Sequence, residues 1–352
     1  MMRSAAPPLP AALRLRIDTD ALVANWCVLG QMSLPARAGA AVKADAYGLG
    51  VDHVVPPLRD AGCRDWFVAH WQEVAAVARH VPPAEIAVLH GPLDQAEAEY
   101  AQASGAVPVI NSMAQAKLWL ESGGGPCHLM VDTGMNRLGL PMSQIGEDIV
   151  GQLEVQVLMS HFASADEDGP LTQKQRVCFQ DAVATIPHRE TSLANGAGIA
   201  LGGRFDCDLT RPGLALYGGV PRGELEGRIR QTAFPQARLM QLRDLAAGES
   251  VGYNATFVTP EAMRIGTVAI GYADGFLRAW GGKWQLAHHG RQLPIIGRVS
   301  MDMIAIDCSE AQDIAEGDWL DIPYHLPTAS AASGLSQYEL LTLLGPRFDR
   351  MT

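Results

Sequence analysis

The chain has 352 residues, enough for one large domain or two moderate ones at about 150 residues each. Hydrophobic residues make up 48% of the chain and charged residues 18%, which excludes intrinsic disorder as its overall state. The formal net charge of −11 disfavours nucleic acid and anionic membranes as main partners.

The sequence also indicates a compartment. Six widely spaced cysteines form no C-x-x-C pair and no zinc-like spacing, so they predict reduced thiols and no metal site; they are Cys27, Cys63, Cys127, Cys178, Cys207 and Cys308. No run of 18 or more apolar residues is present, and prolines interrupt the apolar part of the N-terminal segment, which makes it a poor signal peptide. We therefore expect a cytoplasmic protein.

Short apolar runs alternate with helix-like stretches in the first two thirds of the chain. Seven runs predict strands at residues 40–42, 66–69, 86–89, 107–110, 129–131, 155–159 and 192–194. Between them, residues 72–80, 93–103 and 114–121 have helical spacing, and Asn111 or Ser112 is a candidate N-cap for the third helix. This alternation predicts parallel βαβ units.

The eighth strand is ambiguous, since either residues 207–211 or residues 214–217 fit it. Eight units in about 200 residues have the size of a (β/α)8 barrel, although periodicity alone leaves a doubly wound sheet open.

The pattern changes after about Gln236. Runs rich in Val, Ile, Leu and Tyr follow at 250–258, 264–271, 284–288, 293–299, 303–307 and 319–322, and only 337–344 looks helical. We predict an α/β barrel at residues 14–237 and a mainly antiparallel β domain at 238–352, with residues 1–13 packing against the β domain.

Lys43 is the first chemical signal, because it directly follows the strand predicted at 40–42. In a barrel that place is the rim where active sites lie. The ordinary interpretation is a solvated loop lysine. The alternative is an amine that binds an aldehyde cofactor covalently, which requires a lowered pKa.

The segment around Lys43, AVKADAYG, resembles the lysine signature of the alanine racemases, which use pyridoxal 5'-phosphate (PLP). In the same order along the chain, further segments resemble motifs of that family: VDTGMNRLG at 131–139, HFASADE at 161–167, RPGLALYG at 211–218, VGY at 251–253, GYADG at 271–275 and GRVSMD at 297–302. The resemblance covers nearly the whole chain. It implies an isomerase that interconverts L-alanine and D-alanine, on a PLP barrel followed by a β domain.

Racemisation needs one base on each face of the substrate Cα. The resemblance assigns these roles to Lys43 and Tyr253, with His161 supporting Tyr253 and Arg211 facing the nitrogen of the cofactor ring. Arg137 is implied to contact the substrate carboxylate or the cofactor phenolic oxygen, for which a fork of donors is suited.

The resemblance implies further contacts with the bound molecules. Cofactor contacts are implied for Tyr47, Asn195, Gly196, Gly213, Leu214 and Tyr338, and substrate contacts for Met301, Tyr272 and Asp302. A homodimer is implied too, in which the β domain of one subunit completes the barrel site of the other and contributes Tyr253, Tyr272 and Met301.

The chain departs from the family pattern in three places. Met130 stands where many members carry a carbamylated lysine that orients the arginine, so Arg137 must be held differently, by Asn136, an ion or water. Gly196 replaces a serine, which predicts slightly looser cofactor binding. The segment 347–352, RFDRMT, replaces the usual Arg-Val-Pro-Arg and leaves the last part of the β domain open.

Alternative functions remain at this point. A racemase of broader specificity, for serine or other small amino acids, fits the departures, and a non-catalytic PLP-binding protein could use the same barrel. The implied role of the enzyme is to supply D-alanine for peptidoglycan or to serve D-alanine catabolism.

Overall fold

The computed structural model describes residues 10–202, 205 and 207–352. It divides into two compact units: a barrel unit, Thr19–Thr232, and a β unit, which combines Ala233–Thr352 with the described residues up to Asp18. The barrel was predicted to begin at residue 14, whereas β1 (Leu13–Ile17) pairs along its whole length with residues 233–237 of the β unit. Of residues 1–13, predicted to pack with the β domain, residues 1–9 lie outside the described part.

The barrel unit alternates strands and helices. Its strands are β2 (Arg37–Ala38), β3 (Ala40–Ala41), β4 (Trp66–Val68), β5 (Ile86–Val88), β6 (Val107–Ile110), β7 (Pro126–Asp132), β8 (Leu140–Pro141), β9 (Glu154–Met159), β10 (Glu190–Ser192) and β11 (Leu209–Thr210). Its helices are α1 (Thr19–Ser33), α2 (Lys43–Tyr47), α3 (Val51–Asp60), α4 (Trp71–Val77), α5 (Gln95–Ser104), α6 (Met113–Glu121), α7 (Pro170–Thr185) and α8 (Gly196–Ala200).

The parallel strands close into a barrel in chain order. Strands β3, β4, β5, β6, β7, β9 and β10 are neighbours in one sheet, and β11 pairs in parallel with β2. A bridge between Asn195 and Arg211 joins the continuation of β10 to that of β11. Gly39 lies between β2 and β3. A Cβ at this position would lie only 2.7 Å from the Asp65 carbonyl oxygen, so a larger residue would not fit. The closed order confirms the barrel and excludes the doubly wound sheet.

Two local ambiguities are decided by the structure. The eighth strand is β11, inside the predicted 207–211, whereas Leu214–Tyr217 forms a short 3-10 helix. The N-cap of α6 is Ser112, whose side chain accepts a hydrogen bond from the Gln115 amide. Asn111 instead donates its side-chain amide to the carbonyls of Leu89 and Val109.

The β unit is mainly antiparallel, as predicted. Its further strands are β12 (Ala233–Leu245), β13 (Ser250–Val251), β14 (Phe257–Val258), β15 (Met263–Val268), β16 (Gln285–His288), β17 (Arg291–Ile296), β18 (Ile304–Asp307), β19 (Trp319–Asp321) and β20 (Phe348–Met351). The sheet order is β15-β18-β17-β16-β19-β12-β1-β20, and β12 also pairs with β15, which closes the antiparallel strands into a ring. The long β12 pairs with both β19 and β15 because its register shifts between Leu239 and Gln241.

The C-terminal part of the β unit has one helix more than predicted, and its last segment forms a strand. Besides α10 (Gln337–Thr342), which lies within the predicted 337–344, the unit has α9 (Leu326–Ser333), so the prediction of a single helix was wrong. The C-terminal segment that departs from the family pattern forms β20, which pairs in parallel with β1. In the described part of the chain, no helix has the length and apolar character needed to span a bilayer.

Candidate active site

Lys43 begins an unusual turn at the carboxyl end of β3. The four residues that follow it, from Ala44 to Tyr47, have φ between 51° and 56°, so α2 is left-handed. This conformation costs an L-residue about 1–2 kcal/mol, and such backbone strain is concentrated at functional sites. Tertiary contacts hold the turn: the Asp45 carboxylate accepts a hydrogen bond from the Val51 amide at 2.8 Å.

The surroundings of Lys43 favour its neutral amine. Burial lowers its pKa below the ordinary value, and the positive charges of Arg137 and Arg211 lower it further. The negative charge of Glu73 acts in the opposite direction and raises the pKa of Lys43. A larger neutral fraction at neutral pH is what an amine needs in order to bond to an aldehyde or accept a proton.

Arg211 is a buried cation at the end of β11. Its side chain is 6% exposed and donates hydrogen bonds to the Ser192 hydroxyl and, at 2.5 Å, to the Ser160 carbonyl. Among the described residues it forms no ion pair with a carboxylate. Burial lowers its pKa to about 10, so the guanidinium remains charged at neutral pH.

His161 follows β9 and faces the same cations. Burial, together with Arg211, Arg137 and Lys43, lowers the pKa of His161 to about 3. The imidazole is therefore neutral at physiological pH and can support a neighbour by a hydrogen bond but not by a positive charge. Its backbone carbonyl accepts a hydrogen bond from the Gln175 side chain at 2.9 Å, which ties its loop to α7.

Arg137 lies on the exposed loop after β7. One oxygen of Asp132 shapes this loop by accepting hydrogen bonds from the amides of Gly134, Met135 and Asn136 at 2.9–3.1 Å. Met130 is buried, and its thioether carries no charge and is only a weak hydrogen-bond acceptor. The structure places Arg137 close enough for its charge to affect Lys43 and His161, and among the described residues no hydrogen bond or ion pair fixes its guanidinium.

Two chain segments form a cradle beside Tyr47. Asn195 caps α8 by accepting the Gly198 amide at 2.9 Å, and Gly213 precedes the 3-10 turn that begins at Leu214. A Cβ at position 213 would lie 2.3 Å from the Tyr47 hydroxyl, so only glycine allows the tyrosine to approach. The first amides of the 3-10 turn, at Leu214 and Ala215, have no partner within that turn and can receive an anion.

The remaining predicted residues lie in the β unit. Tyr253 follows Gly252 and is 71% exposed; Met301 is 53% exposed. The amide of Tyr272 donates to the Ser300 carbonyl, and the amide of Ala273 to that of Met301, both at 3.0 Å. These bonds bring the GYADG and GRVSMD segments together.

An ion-pair cluster fixes both segments. Asp274, only 1% exposed, accepts hydrogen bonds from the Gly271 amide and from two nitrogens of Arg347, at 2.6 and 2.9 Å. Arg347 also binds Asp302 at 2.8 Å. We call Asp274, Arg347 and Asp302 the aspartate clamp. Tyr338 lies on the first turn of α10 and is half-exposed.

Comparison with known proteins was made for the whole chain. Residues 17–221 match the family model described as alanine racemase, N-terminal domain, and residues 234–352 match alanine racemase, C-terminal domain. The alanine racemase of Methylobacterium nodulans is 38% identical over 96% of this chain and 95% of its own length. The chain belongs to the alanine racemase family.

Other members of the family agree with this assignment. The biosynthetic alanine racemase of Agrobacterium fabrum is 36% identical and covers 97% of this chain and 93% of its own. The crystal structure of the Bartonella henselae alanine racemase, which holds covalently bound pyridoxal phosphate, has a TM-score of 0.90, 35% identity and coverage of 97% of this chain and 99% of that chain. The fold expected from the family resemblance is confirmed.

Sequence reasoning missed several residues around this alanine racemase-like site. Glu73 contacts the turn of Lys43, Ser160 and Ser192 are the partners of Arg211, and the ring of Tyr217 stacks on Tyr47 at 4.6 Å between centroids. For Ser160 and Ser192 the available sequence signal was their place, at or just after the carboxyl end of a barrel strand.

Proposed function

We propose that this protein is a PLP-dependent alanine racemase that interconverts L-alanine and D-alanine. The observation that carries the proposal is the arrangement of Lys43 and Arg211. A lysine with a lowered pKa lies at the barrel rim, near a buried arginine with no carboxylate partner among the described residues. Membership of the alanine racemase family over both units supports the same reaction.

The residues of the barrel unit fit the cofactor. A buried guanidinium, which has no carboxylate partner among the described residues, and a cradle of amides beside Gly213 suit an anionic ring compound with a phosphate group. Lys43 would hold the cofactor covalently. The phosphate would be received by the barrel residues of the predicted set, which are Tyr47, Asn195, Gly196, Gly213 and Leu214.

When bound, PLP supplies an aldehyde that bonds to amines and a ring that accepts the electron pair left when Cα loses its proton. Arg211 would donate a hydrogen bond to the ring nitrogen without releasing its own proton, because its pKa stays near 10. It therefore limits how much negative charge the ring takes up, which favours return of the proton to Cα over transamination.

Two residues would move the proton. Lys43 would serve one face of Cα through its amine, and Tyr253 the other face through its hydroxyl. A tyrosine with an ordinary pKa near 10 is a weak base at neutral pH, so it needs a hydrogen-bonding neighbour. His161 would provide it as a neutral imidazole, linked in turn to Arg211.

The substrate would be oriented by its carboxylate. Arg137 and the Met301 amide would bind this group, and Tyr272 and Asp302 would line the approach, with the aspartate clamp holding both in place. We infer a homodimer in which Tyr253, Tyr272 and Met301 reach the barrel of the other subunit; the high exposure of Tyr253 and Met301 supports this. We further propose a cytoplasmic role in making D-alanine for the cell wall.

The test is incubation of the holoenzyme with L-alanine in heavy water, following deuterium at Cα and the appearance of D-alanine. We expect both, and loss of both in Lys43→Ala. Deuterium exchange without inversion would leave a single working base and contradict the racemase. L-Serine in a parallel reaction distinguishes a broader specificity.

A further inference from the structure

The carboxylate of Glu73 joins two segments of the barrel rim. One oxygen, Oε1, accepts a hydrogen bond from the Ala44 amide at 2.5 Å. The other, Oε2, accepts hydrogen bonds from the amides of Ala69 and His70, at 2.6 and 3.1 Å. Glu73 is the third residue of α4, so it bridges the start of this helix to the turn that begins at Lys43.

The bond to Ala44 acts at a sensitive point. Ala44 is the residue after Lys43 and the first with positive φ, so its amide lies where the backbone becomes left-handed. Since this conformation is unfavourable for an L-residue, contacts from outside the turn are needed to keep it. A carboxylate is a strong acceptor for such an amide.

We propose that Glu73 is the positioning residue of Lys43, holding the left-handed turn against α4 so that the amine is aimed at one face of Cα. The charge of Glu73 also opposes the effect of Arg137 and Arg211 on the pKa of Lys43. The inference rests on the proposed function of Lys43. Its failure is distinguishable, because Glu73 should affect only one of the two proton transfers.

Glu73→Gln is the test variant. Both carboxylate oxygens accept amide hydrogens, whereas a glutamine side chain has a single acceptor oxygen, so one of the two links must be lost. Glu97→Gln is the matched control. Glu97 is the third residue of α5 and accepts the Leu93 amide at 2.9 Å, in the same position of the neighbouring helix and away from Lys43.

The readout is racemisation in heavy water, started separately from L-alanine and from D-alanine. For each direction we measure two rates: deuterium incorporation into the substrate that has not been converted, and formation of the opposite enantiomer. The readout is the ratio of the first rate to the second. If Lys43 is misplaced, the substrate deprotonated by Tyr253 loses its proton as before but is reprotonated on the other face more slowly. We expect Glu73→Gln to raise this ratio at least about threefold in that direction only, and to lower kcat more than it raises KM.

Two outcomes overturn the inference: unchanged ratios, or ratios that shift equally in both directions. Glu97→Gln should match the wild type. If Glu73→Gln does not yield folded holoenzyme, Glu73→Asp replaces it. That variant keeps the charge but shortens the reach by one methylene, and it should show the same one-sided shift. Wild-type enzyme that exchanges without inversion would instead contradict the proposed function itself.

Discussion

Buried groups in the barrel unit differ sharply in what surrounds them. Arg211 keeps its charge because burial lowers its pKa only to about 10, and a hydroxyl and a carbonyl accept its hydrogen bonds. His161 loses its charge because burial, together with the positive charges of its neighbours, lowers its pKa to about 3. His128, on β7, is also neutral, and its Nδ1 atom is buried without a hydrogen-bond partner among the described residues. At the residue scale, then, burial determines which side chain can carry charge in the reaction.

Two glycines of the cradle should respond in opposite ways to a larger side chain. A Cβ at Gly196 would meet the Ala215 Cβ at an ordinary 3.5 Å, so Gly196→Ser should fit and restore a hydroxyl near the phosphate. We expect its PLP affinity, measured by titrating the apoenzyme, to rise about two- to tenfold, in line with one added hydrogen bond. No gain in affinity would contradict the phosphate cradle.

Gly213→Ala should weaken the same site. The added methyl group would overlap the Tyr47 hydroxyl at 2.3 Å, and overpacking of this kind costs about 1–3 kcal/mol. We expect a lower melting temperature and weaker PLP binding. Gly146→Ala, where a Cβ meets nothing within 4 Å, is the control. Equal behaviour of the two variants would show that Tyr47 does not lie against position 213.

Acid should destabilise the protein through His128. Burial lowers its pKa from 6.5 to about 4, so below pH 6.5 the unfolded state binds a proton that the folded state does not. This lowers the free energy of unfolding by about 3 kcal/mol between pH 7 and pH 4, and the loss levels off below pH 4. Urea unfolding across this range should show a smaller loss for His128→Gln. In the control variant His325→Gln, which replaces an exposed histidine, the free energy of unfolding should fall with pH as steeply as in the wild type.

At the scale of elements, the functional turns are fixed by contacts from outside them. The turn of α2 is left-handed although its residues are alanine, aspartate and tyrosine, and Glu73 and Val51 hold it. The GYADG segment is held in the same way by Arg347 from the start of the last strand. Local propensity alone would not give either conformation.

The aspartate clamp should contribute to the stability of the β unit. Arg347→Met leaves the carboxylate of Asp274 buried without its cation, which costs about 3 kcal/mol, measured as the free energy of unfolding. Adding Asp274→Asn removes the charge, keeps an acceptor for the Gly271 amide and should recover part of the loss. Arg291→Met is the control, because its partner Asp313 is 60% exposed and the change in stability should be small. A double variant no more stable than Arg347→Met would contradict the clamp.

For the whole molecule, the proposed sharing of sites between subunits can be tested by mixing. Lys43→Ala and Tyr253→Phe should each be inactive alone. In a hybrid dimer one site carries both defects and the other carries neither, so co-refolding equal amounts should restore about a quarter of wild-type activity. A mixture that stays inactive, although hybrids form, would show that Lys43 and Tyr253 of one chain work together.

Local patterns in the sequence were enough to predict the alternation of strands and helices, the change to antiparallel strands and the chain positions of the chemical groups. These properties are carried by apolar periodicity and by short motifs. The eighth strand stayed open and α9 was missed, and no local pattern shows that β1 pairs with β12 across more than two hundred residues.

How the reactive groups are held depends on contacts between distant parts of the chain. The contact of Arg211 with Ser160 spans 51 residues, and that of Arg347 with Asp274 spans 73. The bond from Ala44 to Glu73 joins consecutive βα units. Burial and electrostatic interactions depend on neighbours that the fold brings together from distant parts of the chain, so they set the pKa of Lys43 and the neutrality of His161 only after folding.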